Sequence, residues 1–132
     1  MSVGIVRYPG SNCDLDTFRY FGDSFFIWHK ESIFPTNLKL LVMGVDDFEI
    51  NGVNIESIKW SSEIEIPTLE KMDIGLYPLP DNDWIKGKSG LKALQYMAMG
   101  LPVVASNLGC NERVIENNVS GLLVDNKDDW YN

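Results

Sequence analysis

Residues 72–106, MDIGLYPLPDNDWIKGKSGLKALQYMAMGLPVVAS, constrain the fold more tightly than any other stretch of the chain. They read in order as strand 73–77, polar loop 78–87, amphipathic helix 88–99, Gly100 as its C-cap, and strand 102–106. Strand, loop, helix and strand make the repeating unit of a parallel sheet. Loops at the carboxyl ends of such strands are where open α/β sheets bind nucleotides.

The same alternation runs along the rest of the chain. The runs VGIVRY (3–8), LKLLVM (38–43) and PVVAS (102–106) are short and apolar, as strands buried on both faces require. Residues 53–59 alternate well enough for a strand, although the phase slips at Ser57. Ser61 or Ser62 then caps a helix, with Glu65 three residues after Ser62 as in a capping box, and Pro67 delays or kinks it. A short helix near 111–117 and strand 121–124 follow, and 127–132 reads as a helix just begun. Near the start, Asn12 or Asp14 caps a helix that stops at Gly22. SFFIWH (24–29) reads either as a strand or as the continuation of that helix toward Pro35. The expected fold is one α/β domain over 1–132, a three-layer α/β/α arrangement around a mostly parallel Rossmann-like or flavodoxin-like sheet.

Composition narrows the function. A chain of 132 residues, 45 % hydrophobic, suits one globular core. A net charge of −8 argues against nucleic acid as partner, because neutralising phosphates takes clustered Lys and Arg. Lys86, Lys88 and Lys92 nevertheless cluster, which fits a small anionic ligand. Cys13 and Cys110 match no metal-binding spacing. They are read as reduced thiols of a cytoplasmic protein, with a disulfide as the alternative. The apolar opening Val3–Val6 is too short for a signal peptide or a membrane span.

The junction at 86–95 carries the chemistry. Leu91, Leu94, Met97 and Ala98 recur at helical spacing and are expected to face the sheet. Lys88, Lys92 and Gln95 fall on another face. Lysines in a first helical turn oppose the helix dipole unless an anion sits there, and Gly87 and Gly90 let a ligand approach the backbone. The same residues also fit a plain solvated helix start with glycines that serve only the turn.

Asp73 to Asp125, extending back to about Leu38 and on to Tyr131, resembles the carboxyl-terminal domain of GT-B-fold glycosyltransferases, the large retaining group that uses nucleotide-sugar donors. GKSGLKALQYMAMGLPVVAS is similar to that family's donor-site loop, helix and strand, and NLGCNERVIENNVSGLLV to its next loop, helix and strand. The resemblance implies a nucleotide diphosphate sugar as partner and no cofactor or metal. It implies a diphosphate at Lys88, Ser89, Gly90 and Leu91, with Lys92 close to the same phosphates. Gln95 stands where many members carry a glutamate that binds the donor ribose, and Gly87 where many carry a second glutamate. Trp60, Ser61 and Ile64 lie in the segment that usually frames the base. Family members work in a cleft between two Rossmann-like domains, so this chain alone is expected to be inactive and to need the second domain; no catalytic residue is assigned to it.

The opening VGIVRYPGSNCDLDTFRYFGDSFFIWHKES resembles the amino terminus of the glutaminase subunit of formylglycinamide ribonucleotide amidotransferase. PGSNCD, Asp16 and WHKE carry the likeness. The activity does not come with it: Cys13 is not in the nucleophile's position, and His29 lacks catalytic partners. Asp14 and Asp16 are read as helix-start residues. The two resemblances together describe a chimera, with a flavodoxin-like opening over 1–34, a transferase-like portion over 35–132 and a join near Ile33–Leu38. An engineered scaffold without activity is the alternative function.

Overall fold

The computed structural model describes residues 2–6, 39–126 and 128–130. The expected helix ending at Gly22 and the segment 24–29 lie outside them. The described chain runs β1 (Ser2–Val6), β2 (Lys39–Met43), β3 (Asn54–Ile58), α1 (Ser62–Leu69), β4 (Ile74–Tyr77), α2 (Asp83–Lys86), α3 (Leu91–Ala98), β5 (Val103–Ser106), α4 (Asn111–Val114), β6 (Gly121–Val124) and a 3-10 turn (Asp128–Trp130). The six strands pair in parallel in the order β3-β2-β1-β4-β5-β6. This is the α/β Rossmann-like sheet expected from the alternation. Its order reverses between β1 and β4, the point at which such sheets open a crevice.

Both sides of β1 are occupied. Val3 is in register with Leu40 of β2 on one side and with Ile74 of β4 on the other. β1 thus pairs directly with β2 and with β4.

β2 shows why these residues make strands. Leu40 and Val42 are fully buried on one face, Leu41 and Met43 are buried on the other, and the alternation follows the two-residue period of a pleat. Among the described residues the helices pack on the second face: Leu69 at the end of α1, Met72 just after it, Ala93 and Tyr96 of α3, and Ile115 join its core. The first face is covered, among the described residues, by Val45, Phe48, Ile50 and Val53 of the β2–β3 connection and by Trp130. That connection contains no helix, unlike the usual crossover between parallel strands. Gly44 at φ +90° turns into it, and its N–H donates to Ile58 O at 2.9 Å.

Helix α3 departs from expectation in start and in orientation. It begins at Leu91 rather than 88, because Gly90 adopts a left-handed φ of +69° as the N-cap. Lys88 and Ser89 thus precede the helix. Leu91 and Leu94, expected to face the sheet, are 49 % and 47 % exposed, whereas Ala93 and Tyr96 are fully buried and Lys92 is buried. The cause lies in β4. Gly75 leaves a hollow that the Tyr96 ring fills, and a Cβ at position 75 would lie 2.3 Å from Tyr96 Cγ. The Tyr96 hydroxyl lies 3.3 Å from Gly4 O and 3.2 Å from Leu76 O, donating to these strand carbonyls. Docking through Tyr96 rotates the leucines outward.

Two smaller differences concern helix starts. Asn82 accepts from Ile85 N–H at 2.9 Å and caps α2 inside what reads as a loop. In α1 the N-cap is Ser61, with no side-chain cap bond, so the expected capping box is not formed. The Ser61 hydroxyl instead lies on the Glu63 carboxylate, which is held below its ordinary range chiefly for that reason.

At one edge of the sheet, Lys39 of β2 pairs with Glu56 of β3. The hydrogen bond from Lys39 holds the Glu56 carboxyl below its ordinary 4.5. A depressed carboxyl stabilises the fold fully above its unfolded value and loses that contribution as pH falls through the folded value. Both side chains are well exposed, so the pair contributes no more than about 1 kcal/mol. Lys39→Met is expected to remove only that small portion of the loss of stability below pH 4.5, read from urea midpoints at pH 7 and pH 3.

Candidate functional site

The loops after β4 and β5 meet at the carboxyl edge of the sheet, next to the reversal between β1 and β4. Buried Ser106, at the end of β5, ties them together. Its hydroxyl accepts from Leu79 N–H at 2.8 Å, and its carbonyl accepts from the side chain of buried Asn111 at 2.9 Å. Gly109 closes the gap from the other side. It has φ +59°, and a Cβ there would lie 2.8 Å from Lys86 O. A Cβ on Gly90 would stand 3.3 Å from Asn111 Oδ1. Ile85 and Leu79, both buried, anchor the ledge from beneath.

On this ledge Lys88, Ser89, Gly90 and Leu91 form the entry to α3. Lys88 is half-buried, Ser89 and Leu91 are exposed, and Gly90 is buried. The N–H groups of Gly87 and Lys88 donate to Trp84 O and Ile85 O at 3.3 and 3.0 Å, so the Lys88 amide is turned into α2. The first bond of α3 runs from Leu94 N–H to Gly90 O at 3.2 Å. The amides of Leu91, Lys92 and Ala93 precede that bond, where a helix has no carbonyl of its own to offer them. The cap residue is a glycine and the first turn holds no acid, so the positive end of α3 has no anion from its own side chains.

The lysine cluster does not converge as the spacing suggests. Lys86 turns to Asp81 at 2.9 Å and lies 4.0 Å from Asp83, and the Asp81 contact holds its ammonium above the ordinary lysine range. Lys92 Nζ is 3.1 Å from Glu65 Oε1 and 3.0 Å from Gln95 Oε1. Gln95 Nε2 in turn lies 3.4 Å from Glu65 Oε1. Lys92 and Gln95 thus form a cluster with Glu65 of α1, while Lys88 remains with the α3 entry. Glu65 is the residue that sequence reasoning misplaces. It reads as a capping acid but is buried, and the neighbouring Ile64 and Ile66 are 38 % and 48 % exposed. A charge inside an inverted pattern, with no cap bond to make, is the signal that marks it.

Among the described residues no group of His, Cys, Asp and Glu is arranged to hold a metal, and no helix is long and apolar enough to cross a membrane. Cys110 is a free thiol. A surface hollow of about 580 Å³ bordered by Leu101, Pro102 and Val119 opens near the amino end of β5, away from the α3 entry.

Comparison with known proteins decides the family. Residues 13–131 match the family described as glycosyl transferases group 1. The chain belongs to that family. The C-terminal domain of the group 1 glycosyl transferase LpcC from Francisella tularensis shares its fold with a TM-score of 0.65 at 19 % identity, over 98 % of this chain and 70 % of that one. Anabaena Alr3699/HepE, solved with UDP and glucose, matches with a TM-score of 0.56 at 14 % identity, over 93 % of this chain and 34 % of that one. The same Anabaena protein solved with UDP-glucose gives 0.54 at 17 % identity.

A second likeness is short. The PurQ subunits of phosphoribosylformylglycinamidine synthase from Helicobacter hepaticus and Wolinella succinogenes are 45 % and 36 % identical to this chain over 47 residues. The chain spans about a fifth of the length of these curated relatives, 21 % and 22 %. The group 1 match spans the expected join at 33–38 and the PurQ matches are short, so a chimera receives little support from these likenesses.

Proposed function

We propose that this chain is the donor-binding portion of a glycosyltransferase and takes a nucleoside diphosphate sugar at the α3 entry. The observation that carries the proposal is the ledge at 86–91, which stands at the sheet reversal and ends in a glycine-capped helix start without an acid. A diphosphate there would accept from the amides that begin α3 and meet the Lys88 ammonium. Ser89, Gly90 and Leu91 supply backbone, Lys92 is held by Glu65 behind them, and Gln95 reaches a sugar hydroxyl. The family membership and the UDP and UDP-glucose held by Anabaena Alr3699/HepE support that ligand class.

Transfer itself would proceed with retention, its leaving diphosphate stabilised at Lys88 and the helix start. The acceptor would come from a second Rossmann-like domain, without which the chain is inactive. In domain terms, 35–132 would be the nucleotide-binding portion of one unit.

UDP at millimolar concentration is expected to raise the melting temperature, as any ligand specific for the native state does. Lys88→Ala is expected to weaken UDP about tenfold, the loss of one charge-assisted contact. An unchanged melting temperature with both UDP and GDP sinks the proposal and leaves the inactive scaffold as the better reading.

A further inference from the structure

We propose that Glu65 is a positioning residue for the ligand site: through the Lys92 ammonium it holds the Gln95 side chain in one orientation. The inference rests on the donor-binding reading of the α3 entry.

The geometry allows one arrangement of the amide. An ammonium only donates, so the group 3.0 Å from Lys92 Nζ must be the Gln95 amide oxygen. The Nε2 end then faces away from the lysine and passes 3.4 Å from Glu65 Oε1. A flipped amide would set N–H groups against the ammonium. Removing Glu65 takes its contact from the Lys92 ammonium and from the Gln95 amide, which weakens the hold on that orientation. Glu65 and Lys92 side chains are only 11 % and 8 % exposed, whereas Gln95 is half-buried. Gln95 therefore carries the effect of the pair to the surface, one turn beyond Leu91.

Charge counting gives the rest. Lys92 is a buried cation and needs one anion close by. Glu65 provides it at 3.1 Å, which leaves position 95 free to be neutral. A carboxylate at both positions places two anions on one cation, and a carboxylate at neither takes the Glu65 anion away from it. Either helix can carry the single carboxylate.

The test compares the full chain with Glu65→Gln, Gln95→Glu and the double variant, using calorimetric UDP binding, melting temperature and the Gln95 side-chain amide signals. Each single variant is expected to melt lower and to bind UDP about fivefold or more weakly, and the double variant to return to within about twofold of the parent. Recovery of melting temperature without recovery of UDP binding overturns the proposal, because Glu65 then serves stability alone. Gln95→Glu binding UDP as tightly as the parent also overturns it. If Glu65→Gln does not fold, Gln95→Glu and the double variant decide the same point. If the parent binds no UDP, the donor-binding reading falls, and the ligand-free amide signals decide the lock. They shift when Glu65 or Lys92 is neutralised if the lock exists, and stay unchanged if it does not.

Discussion

Gly75→Val is expected to lower stability by about 4 kcal/mol or more, enough to unfold a marginal domain at room temperature. Three ring atoms of Tyr96 lie within 2.3–2.6 Å of where a Cβ at position 75 would be. A fully buried ring cannot retreat as the end of a flexible chain can. If Tyr96 moves, its hydroxyl leaves Gly4 O and Leu76 O, and α3 lifts from β4. Gly4→Ala is the control. Its Cβ would meet Met72 Sδ at 2.1 Å and Met72 Cε at 2.2 Å, atoms at the end of an adaptable side chain. Urea unfolding should therefore rank Gly75→Val far below Gly4→Ala. Near-parent stability of Gly75→Val would show that α3 does not dock through Tyr96.

The second large effect is expected at the buried ion pair. Lys92→Met leaves the Glu65 carboxylate buried without its cation, at a cost of about 3–5 kcal/mol. Adding Glu65→Leu removes the charge as well, and the double variant is expected to recover to within about 1–2 kcal/mol of the parent. The two substitutions are thus strongly non-additive. Additive losses would mean that the two side chains are not coupled in the folded protein. This pair of variants neutralises the cluster, whereas moving the carboxylate between positions 65 and 95 keeps it charged.

Much of the fold was legible because strand burial is written in short apolar runs. LKLLVM, GLY within β4 and PVVAS each became strands of the parallel sheet, with ends shifted by a residue. The turn of α3 was not legible from apolar spacing. Leu91 and Leu94 make the more obvious stripe, but the hollow at Gly75 and the two carbonyls that receive the Tyr96 hydroxyl are tertiary facts. The small α2 was legible in principle, since Asn82 followed by Asp83 is a helix-start signal, yet the prolines around it read as loop. In the candidate site, the glycines and Lys88 were visible as the turn that enters α3. The partition of the lysines was not. Lys86 is held by an aspartate five residues back and Lys92 by a glutamate from another helix. Neither contact has a local signature, apart from a charge among exposed isoleucines in α1.

The central claim is that the entry to α3 binds a nucleoside diphosphate. The most direct measurement is a titration of the ¹⁵N-labelled chain with UDP, followed by amide chemical shifts. The account predicts saturable shifts concentrated at Ser89, Gly90, Leu91, Lys92 and Ala93, with smaller changes at Gly109 and at the Gln95 side chain. Saturable shifts that instead map to the β2–β3 connection or to the hollow near Leu101 and Val119, or no shifts at millimolar UDP, would contradict it.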